Sequence, residues 1–262
     1  MTPRSARVAA AVKLQRHTGR RRVGRFLAEG PNLVESAAHR GLVEEVFATA
    51  DAVERYSRLL TGISVRIVTE AAAKLLSDTV TPTGLVAVCH IPENDLRSVL
   101  ATDPALIAVA VGISDPGNAG TLIRTAAAMG AAAVLLAGDS VDPYNAKCLR
   151  ASAGAIFALP VLAVPDPAES LGHLREAGLV ILATTVDGET SLDDVGPVLN
   201  TRTAWVFGSE SNGLDTDVAG LADHRVTIPM AAGTESLNVA AAAAICLYQS
   251  ALALRSHRAQ LG

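Results

Sequence analysis

From Leu106 onward, short and uninterrupted apolar runs alternate with helical segments, and this alternation restricts the chain to few folds. Leu106 to Val111 is apolar at every position. A strand open to water on one face alternates polar and apolar residues, whereas a strand covered on both faces does not. Related runs occur at Ala133 to Ala137, Ala158 to Val164, Val180 to Thr184, Thr203 to Phe207 and Arg225 to Ile228. Helical stretches separate them at Thr121 to Met129, Asn145 to Ser152, Ala168 to Glu176 and Asp217 to Leu221, with Gly130 and Gly178 as stops. The last helix, Leu237 to Leu254, is the longest. The pattern predicts a parallel sheet with helices on both faces. Half the residues are hydrophobic but only 3% are aromatic, so the core is built of Ala, Val, Leu and Ile.

The first ninety residues alternate more loosely. Strands are expected at Phe26 to Gly30, Val43 to Thr49, Val65 to Val68 and Leu85 to Cys89. Helices are expected at Asn32 to Arg40, Asp51 to Leu60 and Ala71 to Leu76, giving a small α/β domain. The polar stretch Pro92 to Pro104 follows, within which Asp95 to Leu100 has helical residues. The expected domains are therefore residues 1–95 and 104–262.

Charge is distributed unevenly. The first thirty positions hold eight basic residues against Glu29, a local +7, so the remainder carries −11 within a total of −4. A basic arm on an acidic body fits a polyanionic partner, and Arg20, Arg21, Arg22 and Arg25 are its candidate contacts. A solvated, frayed terminus is the other reading. Cys89, Cys148 and Cys246 are scattered, with no paired spacing for zinc, and no metal site is expected. Three unpaired thiols suit a reducing compartment. No apolar leader follows the basic N-terminus. Val239 to Leu254 is broken by Tyr248, Gln249 and Ser250 and falls short of the roughly 20 residues of a bilayer span. A cytoplasmic protein without membrane association is expected.

Three loops lie where parallel sheets place their sites, at strand ends. Ser114 to Gly120 opens a helix whose free N–H groups favour an anion, and Arg124 follows within that helix. A capped helix with a surface arginine explains the same residues. Phe207 to Leu214 carries Gly208 and Gly213 but lacks the Lys and Ser/Thr of a phosphate loop. Ile228 to Asn238 leads into the last helix, with Ser236 or Glu235 as its N-cap and Asn238 a poor helix former just inside it.

Together these loops resemble the three motifs of the SpoU/TrmH family of RNA ribose methyltransferases, within the knotted SPOUT superfamily. The matching segments are Asp115 to Arg124, Val206 to Leu214, and Ile228-Pro229-Met230 through Glu235 to Ala240. A fourth block, Asp142 to Lys147 with Arg150 to Ala155, is also similar. The resemblance spans roughly Leu106 to Leu254, and motif two departs slightly at Ser211 and Asn212. The N-terminal part looks like the small substrate-binding domain of ribosomal RNA methyltransferases, including thiostrepton-resistance types.

The resemblance implies a trefoil knot in the C-terminal domain, a homodimer, and S-adenosylmethionine held against Gly208, Ile228, Met230 and Leu237. It implies methylation of a ribose 2′-hydroxyl in RNA, with 23S ribosomal RNA as the expected substrate. Arg124 is the implied catalytic residue, entering near or from the partner subunit. Arginine stays protonated, so a grip on a phosphate or on the ribose oxygen suits it better than proton abstraction. Asn118 and Asn238 would orient Arg124 or the ribose, Glu210 would fix Arg124 or the loop, and Ser236 would position the hydroxyl. Arg150, one turn beyond Lys147, is a further candidate RNA contact or a surface residue. A non-catalytic ribosome-associated RNA-binding protein, a transfer RNA ribose methyltransferase and a base methyltransferase are the alternatives.

Overall fold

Polar side chains at their N-caps start most of the helices. Thr49, Thr69, Asp95, Asp115, Asn145 and Asp166 each accept a backbone N–H from the first turn that follows. The computed structural model describes residues 1–261. The chain runs α1 (Ala6–Val12), a 3-10 turn, α2 (His17–Val23), β1 (Arg25–Glu29), α3 (Pro31–His39), β2 (Val43–Ala48), α4 (Ala50–Arg55), β3 (Val65–Ile67), α5 (Glu70–Leu76) and β4 (Leu85–His90). It continues with α6 (Leu96–Leu100), β5 (Leu106–Val111), α7 (Pro116–Ala128), β6 (Ala133–Ala137), α8 (Ala146–Ser152), β7 (Val161–Val164) and α9 (Pro167–Glu176). The last elements are β8 (Val180–Thr184), β9 (Thr190–Ser191), α10 (Gly196–Leu199), β10 (Thr203–Phe207), α11 (Thr216–Ala219), β11 (His224–Thr227) and α12 (Val239–Leu261).

These elements form two compact units. The first contains Met1–Glu93 and also Tyr144–Phe157; the second contains Asn94–Pro143 and the chain from Ala158. The expected division at 95 and 104 therefore needs two corrections. Helix α6 belongs wholly to the second unit, because Leu96, Val99 and Leu100 pack on that unit's core and Asn94 donates to the Val161 carbonyl. Conversely, Tyr144–Phe157, expected in the C-terminal domain, packs with the first unit. Its anchor is aromatic, since the Phe26 ring lies 4.8 Å from Tyr144 and 6.0 Å from Phe157, centroid to centroid.

The first unit is a four-stranded sheet in the order β1-β4-β2-β3, with β4 antiparallel to both neighbours and β2 parallel to β3. Alternation sends Phe26 to one face and Leu27 to the other. Leu27, Phe47, Val86 and Val88 cluster with Ala72, Ala73 and Leu76 of α5 and with Val8, Ala11 and Leu14. The basic arm is thus neither frayed nor free: its apolar residues at helical spacing bury it as α1 and the following turn. Gly19 is required there, as a Cβ would fall 1.9 Å from the Lys13 carbonyl oxygen.

The second unit is a seven-stranded sheet in the order β7-β6-β5-β10-β8-β11-β9, parallel throughout. Its central strand, β10, is fully buried, and the Trp205 indole N–H donates to Ser250 Oγ at 2.8 Å. Ser250 lies on α12, which packs against α7 and β10. Helix α12 starts two residues later than expected and runs seven residues further. Its length and composition would suffice for a bilayer span, but Ala243, Cys246, Leu247 and Ala251 are buried in the protein core. Two short elements, β9 and α10, carry too few residues to show a period.

Candidate active site

Four strand ends converge at the C-terminal edge of the parallel sheet, where such folds expose their loops. Beyond β10, the chain folds tightly on itself: Ser209 N–H donates to the Gly213 carbonyl and Gly213 N–H donates back to that of Ser209, at 3.0 and 2.9 Å. Gly208 permits the turn, because a Cβ there would lie 2.2 Å from the Gly213 carbonyl carbon. Beyond β8, Gly188 makes a comparable close pass, with its Cβ position 2.7 Å from Thr227 N. Arg225 holds this loop through Glu189 at 2.9 Å and Asp187 at 3.6 Å. The Arg225 backbone N–H, donating to Glu189, keeps that carboxyl below its ordinary range.

The two loops, with Ile228 to Val239, enclose a cleft of about 720 Å³. Gly208, Ile228, Met230 and Leu237, the expected cofactor residues, all line it, as do Glu210 and Ser236. The end of β8 and the loop after it contribute Thr184, Thr185, Val186 and Asp187, which sequence reasoning missed. Their one signal was position, at or directly after the end of a buried strand. Thr185 Oγ1 is buried and has no hydrogen-bond partner among the described residues. A cleft lined by glycine backbone, hydroxyl side chains and apolar residues suits a ligand with both polar and apolar parts.

A side-chain chain connects the three motif loops. Asn238 Oδ1 accepts from Ala240 N–H at 2.9 Å and from Ala241 N–H at 3.3 Å. Asn238, rather than Ser236 or Glu235, is therefore the N-cap of α12. With its oxygen committed, its Nδ2 donates to Asn118 Oδ1 at 3.0 Å. That leaves Asn118 Nδ2 to donate to Glu210 Oε1 at 2.6 Å. The amide directions thus follow from the helix backbone outward. Asn118, itself in the first turn of α7, is held through its backbone N–H by Asp115. Glu210 consequently fixes the loop through Asn118, not through Arg124.

Arg124 lies two turns into α7, exposed, and makes no hydrogen bond or ion pair among the described residues. It is not in the cleft lining. The expected RNA contacts separate into three groups. Arg21 and Arg22 are exposed. Arg25 and Arg150 are ion-paired, with Glu44 at 2.6 Å and Asp78 at 3.3 Å. Arg20 is corrected outright: it is 3% exposed and donates to the Leu14 and Gln15 carbonyls, closing the turn between α1 and α2. Cys89 is buried, its thiol pushed up to about 12 by desolvation, and burial raises Cys246 likewise. Both remain protonated packing groups.

Comparison with known proteins gives this geometry a family. Residues 105–248, more than half the chain, match the SpoU rRNA Methylase family. The chain belongs to that family. As a SpoU methylase it is a methyltransferase that uses S-adenosylmethionine. Its first unit matches an MRM3-like substrate binding domain over residues 5–87. A 23S rRNA (guanosine(2553)-2′-O)-methyltransferase of Bacillus subtilis is 34% identical over 240 residues, covering 90% of this chain and 92% of that protein. A 23S rRNA (adenosine(1067)-2′-O)-methyltransferase of Streptomyces laurentii is 32% identical over 190 residues, 72% and 70% of the two chains. Among solved structures, a SpoU methyltransferase of Streptomyces viridochromogenes in complex with AdoMet superposes with a TM-score of 0.84 at 28% identity, covering 95% and 98%.

Proposed function

We propose that this methylase acts on a ribose 2′-hydroxyl of 23S ribosomal RNA. The observation that carries the reading is the hydrogen-bonded chain Glu210–Asn118–Asn238, which ties the Arg124 helix to the cofactor cleft. Gly208, Ile228, Met230 and Leu237 would hold S-adenosylmethionine. The cofactor brings a sulfonium methyl that is electrophilic without further activation. The protein's task is then to align the ribose oxygen and stabilise its developing charge. Arg124 supplies a fixed positive charge for that oxygen or an adjacent phosphate. Asn118 and Asn238 keep the α7 start in place, and Ser236 at the cleft rim orients the hydroxyl. Arg21 and Arg22 add phosphate contacts. The relatives' named activity on 23S rRNA supports the substrate class.

We propose also that the protein works in the cytoplasm as a homodimer, and that the loops around the cleft close a trefoil knot. The dimer reading rests on Ile245, Tyr248 and Leu252, which expose one apolar stripe of α12. The neighbouring α7 exposes Thr121, Arg124 and Ala128. Pairing of these helices between copies would bring Arg124 beside the partner's cleft. Sedimentation equilibrium should give twice the chain mass; a monomer at micromolar concentration would remove the dimer. An experimental chain trace that straightens when its ends are pulled would remove the knot. For the activity, labelled S-adenosylmethionine incubated with 23S ribosomal and transfer RNA should label the ribosomal RNA. Nucleoside mass spectrometry should then find a 2′-O-methylnucleoside, and label confined to a base or to transfer RNA would refute the reading.

A further inference from the structure

A second cavity, of about 860 Å³, lies entirely within the first unit, between α3 and the turn that follows α4. Its volume is within the range of small-ligand pockets, about 300–1,000 Å³. His39, Arg55 and Arg58 line it together with Tyr56 and Glu35. We infer that this cavity takes an unpaired nucleotide of the RNA substrate, with its flanking phosphates on Arg55 and Arg58. The inference rests on the reading of the protein as an RNA methyltransferase and assigns part of the substrate grip to a place other than the N-terminal arginines.

Lack of commitment and a shared cavity together set these arginines apart: Arg4, Arg16, Arg21, Arg22 and Arg40 are exposed too, but none of them lines the cavity, and the remaining arginines of the unit are engaged. Arg7 and Arg66 both bind Glu45, Arg25 binds Glu44, and Arg150 binds Asp78. Arg20 is buried against carbonyls. Arg55 and Arg58 are exposed and have no hydrogen bond or ion pair among the described residues, and the same holds for His39. Two guanidiniums left open on one cavity are positioned for bidentate contact with phosphate oxygens.

The turn that carries Arg58 is preorganised. Leu60 N–H donates to the Tyr56 carbonyl, Thr61 N–H to that of Arg58, and Ile63 N–H to that of Leu60. The Thr61 hydroxyl donates to the Ser57 carbonyl, and Leu60 is buried beneath. A fixed turn spends little ordering entropy on binding. The remaining lining argues for a nucleotide over bare phosphate. Tyr56 is half-buried and offers a ring face for stacking an unstacked base. Glu35, which would repel phosphate, can accept from a base amino group or a 2′-hydroxyl.

The test uses the full chain and transcribed 23S ribosomal RNA in filter binding across salt concentrations. R55A/R58A should bind about tenfold more weakly, and its salt slope should fall by about 1.4, about 0.7 for each lost phosphate contact on a single strand. Tyr56→Leu should weaken binding about fivefold or more with the slope unchanged. S-adenosylmethionine affinity in the same samples should match wild type, showing intact folding. Wild-type affinity and slope in R55A/R58A would overturn the site. A wild-type protein that binds this RNA through Arg55 and Arg58 but transfers no methyl would refute the proposed activity and leave the site standing. Absence of salt-dependent binding by the wild type would remove both.

Discussion

Arg124→Ala should lower kcat for methyl transfer by about two to three orders of magnitude, while S-adenosylmethionine affinity stays within about twofold of wild type. The split follows from placement. Arg124 is absent from the cleft lining and its side chain makes no hydrogen bond or ion pair among the described residues, so its removal spares both cofactor binding and stability. Its exposed charge is available to an oxyanion or phosphate that arrives with the RNA. Arg124→Lys should recover little of the loss, because an ammonium lacks the planar fork. Single-turnover methylation with saturating cofactor, alongside calorimetry, measures the two quantities separately. Turnover near wild type in R124A would end the assignment of Arg124 to the chemistry.

Gly208→Ala should have the opposite signature, abolishing cofactor affinity and lowering stability by about 1–3 kcal/mol. The added methyl meets backbone, with Gly213 C at 2.2 Å, Leu214 N at 2.3 Å and Gly213 O at 2.4 Å. None of these is the end of a flexible side chain, so the whole turn must shift. The paired hydrogen bonds between Ser209 and Gly213 would open, and with them the wall of the cleft. Because Glu210 sits in this turn, its bond to Asn118 would be strained too. Isothermal titration with S-adenosylmethionine and thermal unfolding check both parts. Cofactor affinity within a few-fold of wild type would show that the turn yields more easily than its backbone contacts imply.

The second unit was legible in the sequence because burial on both faces leaves a plain mark. Strands such as Leu106–Val111 and Ala133–Ala137 are apolar without a break, and each reappears in the sheet. The loops that line the cleft were legible because Gly208 and Gly213 stand at a strand end in a motif of recognisable order. Less visible were features set by neighbours distant in sequence. Thr185 gave no sign that its hydroxyl would be buried without a partner among the described residues, since that depends on loops folding over it. Arg20 looked like its neighbours Arg21 and Arg22. Only the turn at Lys13–Gln15 decides that its guanidinium points inward, to carbonyls five and six residues back. Asn238 read as a weak helix residue, although its position just outside the helix is where asparagine caps best.

The excursion of Tyr144–Phe157 has an evolutionary consequence. The chain leaves the parallel-sheet unit after Pro143, places Tyr144 and Phe157 against Phe26, and returns at Ala158. The two units are therefore not beads on a string that recombination could exchange by a single cut near residue 94. A transplanted N-terminal unit would arrive without its aromatic clamp, and the recipient's own 144–157 segment would have to fit a foreign Phe26 pocket. Substrate-binding units in this architecture should diversify by point substitution in place, with residues 144–157 co-varying with β1, more readily than by wholesale swapping.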